Sequence, residues 1–438
     1  MPVPGIVLAA PSSGSGKTLA TLGLLAHLAG RGLRVVSAKV GPDYIDPAFH
    51  AAATRRPCLN LDSWAMRPST LSGLVAALSA DADLAICEGV MGLLDGAAAP
   101  PGQPDGSTAE VAAVTGWPVV LVVDARGMAA SAAAVVLGFV RARADIRIAG
   151  VVFNRVAGDR HRRLITESCA RLCPEVAVLG CLPPLADLAV PSRHLGLVQA
   201  CEHPDLAGFL AAAAAAVAAH VDVAALVALA RPARCAGSHP LPLPPLGGRI
   251  AVARDRAFAF AYPAVLEGWR RAGAELAFFS PLADQSPDGD AVYLPGGYPE
   301  LHAGRLAAAG CFLGGLRRLA DAGCPVFGEC GGYMVLGDGI VDAAGDRHRM
   351  AGLLPLETSF ASRRLHLGYR RAALAAAGIL GGAGAKFSGH EFHYATTTFQ
   401  ADAPPLFHAE DAAGADLGRT GLAVGSVAGS FLHLIDRV

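Results

Sequence analysis

Two short stretches carry residue types and spacings that can do chemistry. The first is Pro11-Ser12-Ser13-Gly14-Ser15-Gly16-Lys17-Thr18, between the apolar run Gly5-Ile6-Val7-Leu8 and the helical pattern Leu19 to Leu28. Strand, Gly-rich turn, Lys-Thr and helix form the layout of a phosphate-binding loop. Backbone N–H groups of Ser13, Gly14, Ser15 and Gly16 can surround an anion, and the helix start adds partial positive charge. Lys17 would reach the outer phosphates of a nucleotide, and Thr18 would place its hydroxyl on Mg2+. Pro11 stands where the usual pattern opens with Gly.

The second stretch is Pro325-Val326-Phe327-Gly328-Glu329-Cys330-Gly331-Gly332-Tyr333. A strand, then Gly-x-Cys-Gly-Gly, then a helix is a nucleophile elbow, whose sharp turn lifts the side chain above the sheet. A helix N-terminus is expected to lower the thiol pKa from its usual value of about 8.5. The N–H of Gly331, with one from Gly296-Gly297 (assigned to Gly297), would hold an oxyanion. A thiol nucleophile needs a base. The candidates are His366, His390, His393 and His433, with His433 in the C-terminal run Phe431-Leu432-His433-Leu434 preferred.

The elements that must position these residues alternate along the chain. Strand-length apolar runs at 34–38, 84–87, 119–123 and 148–153 are separated by amphipathic stretches such as 69–78 and 129–140. Near-continuous apolar strands separated by helices predict a parallel sheet covered on both faces, with ligands at the strands' carboxyl ends. Polar residues gather at those ends: Lys39 to Pro47, Glu88 to Gly96, Asp124 with Arg126, and Asn154-Arg155. Asp46 and Glu88 are the choices for Mg2+, which takes one or two carboxylates plus phosphate oxygens. The pattern breaks into a Pro-rich linker over 231–248, and a second α/β unit follows. The expected organisation is a domain at 1–230, a linker at 231–248 and a domain at 249–438.

Bulk properties agree with two buried cores. The chain has 438 residues, 53% hydrophobic and 17% charged, with a net charge of −1. That length asks for more than one domain, and that charge gives no reason to expect nucleic acid or an acidic membrane as partner. The Ala-rich run 206–230 is interrupted by His220 and Asp222, so a helix outside the membrane is expected. No signal peptide is read at the start, and the ten cysteines make no framework. A cytoplasmic enzyme with reduced thiols is the expectation.

The second unit resembles class I glutamine amidotransferases, and the whole chain resembles the cobyrinic acid a,c-diamide synthase family. The resemblance rests on an ordered set. It comprises the loop ending Gly16-Lys17-Thr18, Gly41-Pro42-Asp43-Tyr44-Ile45-Asp46-Pro47, Glu88-Gly89-Val90-Met91-Gly92, Tyr293-Leu294-Pro295-Gly296-Gly297-Tyr298-Pro299-Glu300, Gly328 to Tyr333, and Gly389-His390-Glu391-Phe392-His393-Tyr394. It implies two doubly wound α/β domains, the first like dethiobiotin synthetase. It implies Cys330 as glutamine nucleophile and His433 as its base. Many class I members place a Glu two residues after that His; here the position is Ile435, and Asp436 follows. Thr18, Asp46 and Glu88 would serve Mg2+, and Asn154 would face the adenine of ATP. Asp43, Tyr44 and Asp46 would help select the substrate carboxylate, and Ser192 and Arg193 are candidates for contacts to the ring or a carboxylate.

These implications assemble into one scheme. ATP would phosphorylate a carboxylate, ammonia from L-glutamine would displace the phosphate, and ammonia would pass between the domains along a shielded path. The substrate would be a corrinoid acid amidated on its a and c acetates, with the cobalt-free and cobalt forms both open. Cobyric acid synthase-type amidation, a partition-type ATPase and a regulatory second domain are the competing readings. Monomer and homodimer both stay open.

Overall fold

The computed structural model describes residues 2–185, 188, 192–193, 196–235, 237 and 241–438, apart from the side chains of 192, 193, 196 and 197. The chain divides into two compact units. One contains residues 1–64, 68–96 and 103–239, the other 65–67, 97–102 and 240–438.

In the first unit, strands β1 (Pro4–Ala9), β2 (Val35–Val40), β3 (Cys58–Leu61), β4 (Leu84–Glu88), β5 (Val119–Asp124), β6 (Ile148–Asn154) and β7 (Ala177–Cys181) lie in the order β3-β2-β4-β1-β5-β6-β7. All neighbours along this path are parallel. Val, Ile and Leu fill both faces because helices cover both: Ile6, Leu8, Ile86, Val120 and Val122 share one core with Leu24 and Leu28. Those two leucines come from α1 (Lys17–Gly30), which follows β1 directly after the loop. Strand order reverses at β1, which has β4 on one side and β5 on the other. Such a switch point opens a crevice at the carboxyl ends, where a phosphate loop can receive its ligand. The helix α2 (Ile45–Thr54) starts just after β2.

Two strands of this sheet, β3 and β7, were absent from the sequence reading. Both are short, and their exposure alternates at one end (the β7 pattern is exposed, half-buried, buried), which weakens an apolar-run signal. The Ala-rich run forms two helices, Leu206–His220 and Val223–Ala228. No helix among the described residues is long and apolar enough to cross a membrane.

The stretch expected as a linker makes contacts at both of its ends. Arg231 and Pro232 pair antiparallel with Gly5 and Pro4 of β1. Leu243 and Leu246 are buried, and Trp269 donates its indole N–H to the Pro244 carbonyl at 3.0 Å. Each end of the stretch thus belongs to the unit beside it, because Pro-rich backbone still offers carbonyls and apolar rings.

The second unit holds a six-stranded sheet. Its parallel strands are β8 (Arg249–Ala253), β9 (Glu275–Phe279), β10 (Ala291–Leu294), β11 (Val326–Glu329) and β12 (Val427–Ser430), with Leu422–Val424 antiparallel at the edge. A mixed four-stranded sheet and an antiparallel five-stranded sheet accompany it. One of them pairs β13 (His366–Leu374) with β14 (Lys386–His393), and β14 with β15 (Leu432–Arg437). The chain passes from β12 to β15 through Phe431 alone, so the base candidate His433 stands where the two kinds of sheet meet.

Candidate functional site

Glu88, at the carboxyl end of β4, is the centre of the first unit's site and has no exposed surface. The Thr18 hydroxyl donates to its Oε1 at 2.6 Å, and the Lys17 ammonium lies 3.7 Å from the same oxygen. Lys39, ending β2, donates to Glu88 at 3.2 Å, to Asp46 at 2.6 Å and to the Gly89 carbonyl at 3.2 Å, and lies 3.8 Å from Asp43. His50, one turn along α2 from Asp46, places Nε2 2.7 Å from Glu88 Oε2 and Nδ1 3.4 Å from Cys58 Sγ. Thr18, Asp46 and Glu88, which the sequence suggested as a set, are therefore brought together. Lys39 and His50 were not assigned roles, although Lys39 shares its strand end with Asp43 and Asp46.

Charge in this cluster is mutually dependent. Burial alone would raise the Glu88 carboxyl, but Lys39, His50 and Lys17 outweigh it and hold Glu88 well below the usual range. Burial opposes the Lys39 charge, yet Glu88, Asp46 and Asp43 push its pKa up. Burial, then the neighbouring Asp43 charge, raise Asp46 to about 6. Lys17 is lowered, mainly by burial.

The loop itself is built for close approach. Gly14 and Gly16 have φ of 76° and 93°, left-handed values that disfavour a side chain. A Cβ on Gly16 would lie 2.0 Å from the Asn154 side-chain nitrogen. That nitrogen donates to the Ser15 carbonyl at 2.9 Å, so buried Asn154 props the loop from below. Arg155 adds a bond to the Gly14 carbonyl at 2.9 Å and one to Asp124 at 2.6 Å. The Ser15 hydroxyl turns back to the Ser12 carbonyl, while Ser13 is exposed. Asp43 accepts from the N–H groups of Ile45 and Asp46 and so fixes the start of α2 beside Tyr44. Ser192 lies in a two-residue strand whose side chains are outside the described residues.

In the second unit Cys330 has φ 47° and ψ −104°, the strained backbone of an elbow between β11 and the short helix Gly331–Leu336. Its N–H donates to the Ser430 carbonyl at 2.8 Å, tying it to the end of β12. A Cβ on Gly331 would lie 3.1 Å from the Gly297 nitrogen, so the two proposed oxyanion donors are close neighbours. A Cβ on Gly296 would lie 2.3 Å from His433 Cε1; only Gly admits the imidazole there. The thiol pKa departs from expectation. Burial, with Glu300 next, pushes it up, and the Gly331 N–H opposes this only in part. A six-residue helix in a closed pocket does less for a thiolate than loss of water does against it.

His433 is buried and stacks on His390 at 4.9 Å. Burial, then the nearby His390 and His393, hold its pKa well below the ordinary value. Its Nδ1 lies 4.0 Å from Glu329. Asp436 is not available to it, because its carboxylate binds Arg67 at 2.7 Å. The other histidines have different surroundings. His390 contacts the Tyr262 hydroxyl at 3.1 Å, and His393 sits against Glu391, which Arg370 also holds. His366 stacks on His393 at 4.6 Å.

Comparison with known proteins places both halves. Residues 6–198 match the CobQ/CobB/MinD/ParA nucleotide binding domain, and residues 249–437 match the CobB/CobQ-like glutamine amidotransferase domain. A hydrogenobyrinate a,c-diamide synthase from Rhizobium meliloti (strain 1021) is 52% identical over 434 residues, covering 99% of each chain. One of the same name from Rhodobacter capsulatus is 55% identical over 433 residues, covering 98% of each.

Proposed function

The chain belongs to the hydrogenobyrinate a,c-diamide synthase family, and from this premise we propose that it amidates the a and c acetate groups of hydrogenobyrinate. It uses ATP and glutamine. The match covers 99% of a relative of that name and includes both a nucleotide binding domain and a glutamine amidotransferase domain, which supports this reading over a partition-type ATPase and over a regulatory second domain. The relatives' name supports this reading over cobyric acid synthase-type amidation and over the cobalt-containing acid.

A carboxylate does not react with ammonia at neutral pH, because oxide is a poor leaving group. Transfer of the γ-phosphoryl group of ATP makes an acyl phosphate, from which phosphate leaves readily. Lys17 and the loop N–H groups would neutralise the phosphates as charge shifts. Thr18, Asp46 and Glu88 would hold Mg2+: Thr18 bonds Glu88 and Lys39 joins Glu88 to Asp46, so a hydroxyl and two carboxylates lie together as the oxygen donors that ion takes, and when bound it would neutralise phosphate charge. Asp43 and Tyr44, at the start of α2, would steer the acetate; Ser192 would touch the ring. In the second unit the Cys330 sulfur attacks the glutamine carboxamide carbon. His433 takes the thiol proton and returns it to the leaving nitrogen, and the N–H groups of Gly297 and Gly331 hold the oxyanion. Water then releases glutamate from the thioester. Ammonia must reach the acyl phosphate before it is protonated.

What carries this reading is the coexistence, in one chain, of the Glu88-centred phosphate loop and the Cys330 elbow. Incubation with hydrogenobyrinate, ATP, Mg2+ and glutamine should give the diamide by mass spectrometry. Cys330→Ala should abolish product with glutamine and keep it with added ammonium. Full glutamine-dependent turnover by that variant would reject the nucleophile assignment.

A further inference from the structure

We propose that Glu329, the residue immediately before the nucleophile, is the carboxylate that orients His433 and stabilises its cationic form. The inference rests on the assignment of Cys330 and His433 to ammonia release from glutamine. It replaces the missing acid two residues after the histidine, where buried Ile435 stands. Asp436 is committed elsewhere: it accepts the Arg67 backbone N–H at 2.8 Å and two guanidinium N–H groups at 3.1 and 2.7 Å.

Glu329 is held in place to serve His433. Its Oε1 accepts the N–H of Leu434, the residue after the base, at 3.0 Å. Its Oε2 accepts the Tyr293 hydroxyl at 2.7 Å and faces His433 Nδ1 at 4.0 Å. The groups around this pair are Tyr293 from β10, His390 from β14 stacked on His433, His393 further along β14, Tyr262 behind His390, and the Cys330 thiol with Glu300 near it. Among these described groups none is a lysine or arginine that would neutralise the carboxylate.

A buried carboxyl is a poor choice for simply anchoring a backbone N–H. Burial raises Glu329 to about 7 even with the Leu434 and Tyr293 bonds opposing, and an amide would hold both partners without that penalty, its oxygen accepting the Leu434 N–H and its NH2 donating to the Tyr293 hydroxyl oxygen. The charge becomes useful when chemistry begins. As Sγ bonds to the carboxamide carbon, the thiol proton passes to His433, and the C–N bond then breaks with return of that proton to nitrogen. Between those events an imidazolium exists in a pocket whose burial disfavours it. A carboxylate at 4.0 Å can close to hydrogen-bond distance and offset that cost.

The test is Glu329→Gln, which can keep both anchoring contacts with the Tyr293 bond reversed, with Glu329→Asp alongside. Loss of the orienting carboxylate costs about 10⁴ in Ser-His-Asp enzymes. The longer contact here sets the expected loss of glutamine-dependent kcat at about 10²-fold. Ammonium-dependent amidation should stay within about twofold, and Glu329→Asp should recover part of the loss. The acid limb of glutamate release in the native enzyme should disappear in Glu329→Gln. Native-like glutamine-dependent rates, equal losses with both nitrogen sources, or an unchanged acid limb would each overturn the proposal. If Cys330→Ala kept its glutamine activity, the underlying assignment would fail instead.

Discussion

Replacing Lys39 by Met isolates the electrostatics of the phosphate site. The change keeps most of the side-chain volume and removes one charge. At an effective dielectric constant of about 20, contacts of 2.6 Å to Asp46 and 3.2 Å to Glu88 correspond to attractions of about 6 and 5 kcal/mol. Stripping water from the ammonium opposes this by several kcal/mol, and removing one partner of a buried pair leaves a net loss of about 3–5 kcal/mol. For a unit in the 150–250-residue range each kcal/mol moves Tm by about 2–4 °C, so a fall of about 10 °C is expected. Thermal unfolding followed by calorimetry reads it directly. Adding Asp46→Asn to Lys39→Met should return about half of the loss, since a pair removed together leaves less uncompensated charge than one removed alone. A Tm within about 2 °C of the native protein, or a double variant less stable than the sum of the singles, would refute the reasoning.

Other outcomes follow from the same geometry. Lys17→Ala should abolish amidation with either nitrogen source while glutamate release persists; amidation retained with ammonium would reject the loop as the activating site. Gly16→Ala combines a left-handed backbone at φ 93° with a Cβ 2.0 Å from Asn154. It should raise the KM for ATP by about tenfold or more, from about 1–2 kcal/mol of backbone strain plus loss of the Asn154 support. The pH dependence has a defined sign. Glu329 rises from an ordinary 4.5 to about 7 in the folded state, so the native chain holds an extra proton over that interval. Stability from this group is therefore greatest below about pH 4.5 and declines as pH rises to about 7, by about 3 kcal/mol in all. Glu329→Gln should remove that decline, and its stability relative to the native protein, measured by thermal unfolding at pH 5 and pH 8, should be higher at pH 8.

The sequence by itself determined the two chemical foci and most of the frame around them. Gly16-Lys17-Thr18 and Gly328 to Gly332 are local patterns: a turn that must hug an anion or expose a sulfur needs small residues at fixed spacing, wherever the chain goes next. The apolar strands β1, β2, β4, β5 and β6 were legible for a similar reason, since a strand buried on both faces has no polar positions to confuse the pattern. Tertiary structure decided what those residues face. Lys39 meets Glu88 across 49 residues of chain, and Leu434 donates to Glu329 across 105. No periodicity records such pairings, which depend on strand order and register. The antiparallel sheet around His433 was hidden because β13 is largely half-buried or exposed, while β14, though mostly buried, mixes Lys, Glu and His with apolar residues. The Cys330 thiol was misjudged for the same physical reason. A helix start is written in the sequence, but the loss of water around the sulfur exists only once distant segments have packed over it, and here that loss is the larger effect.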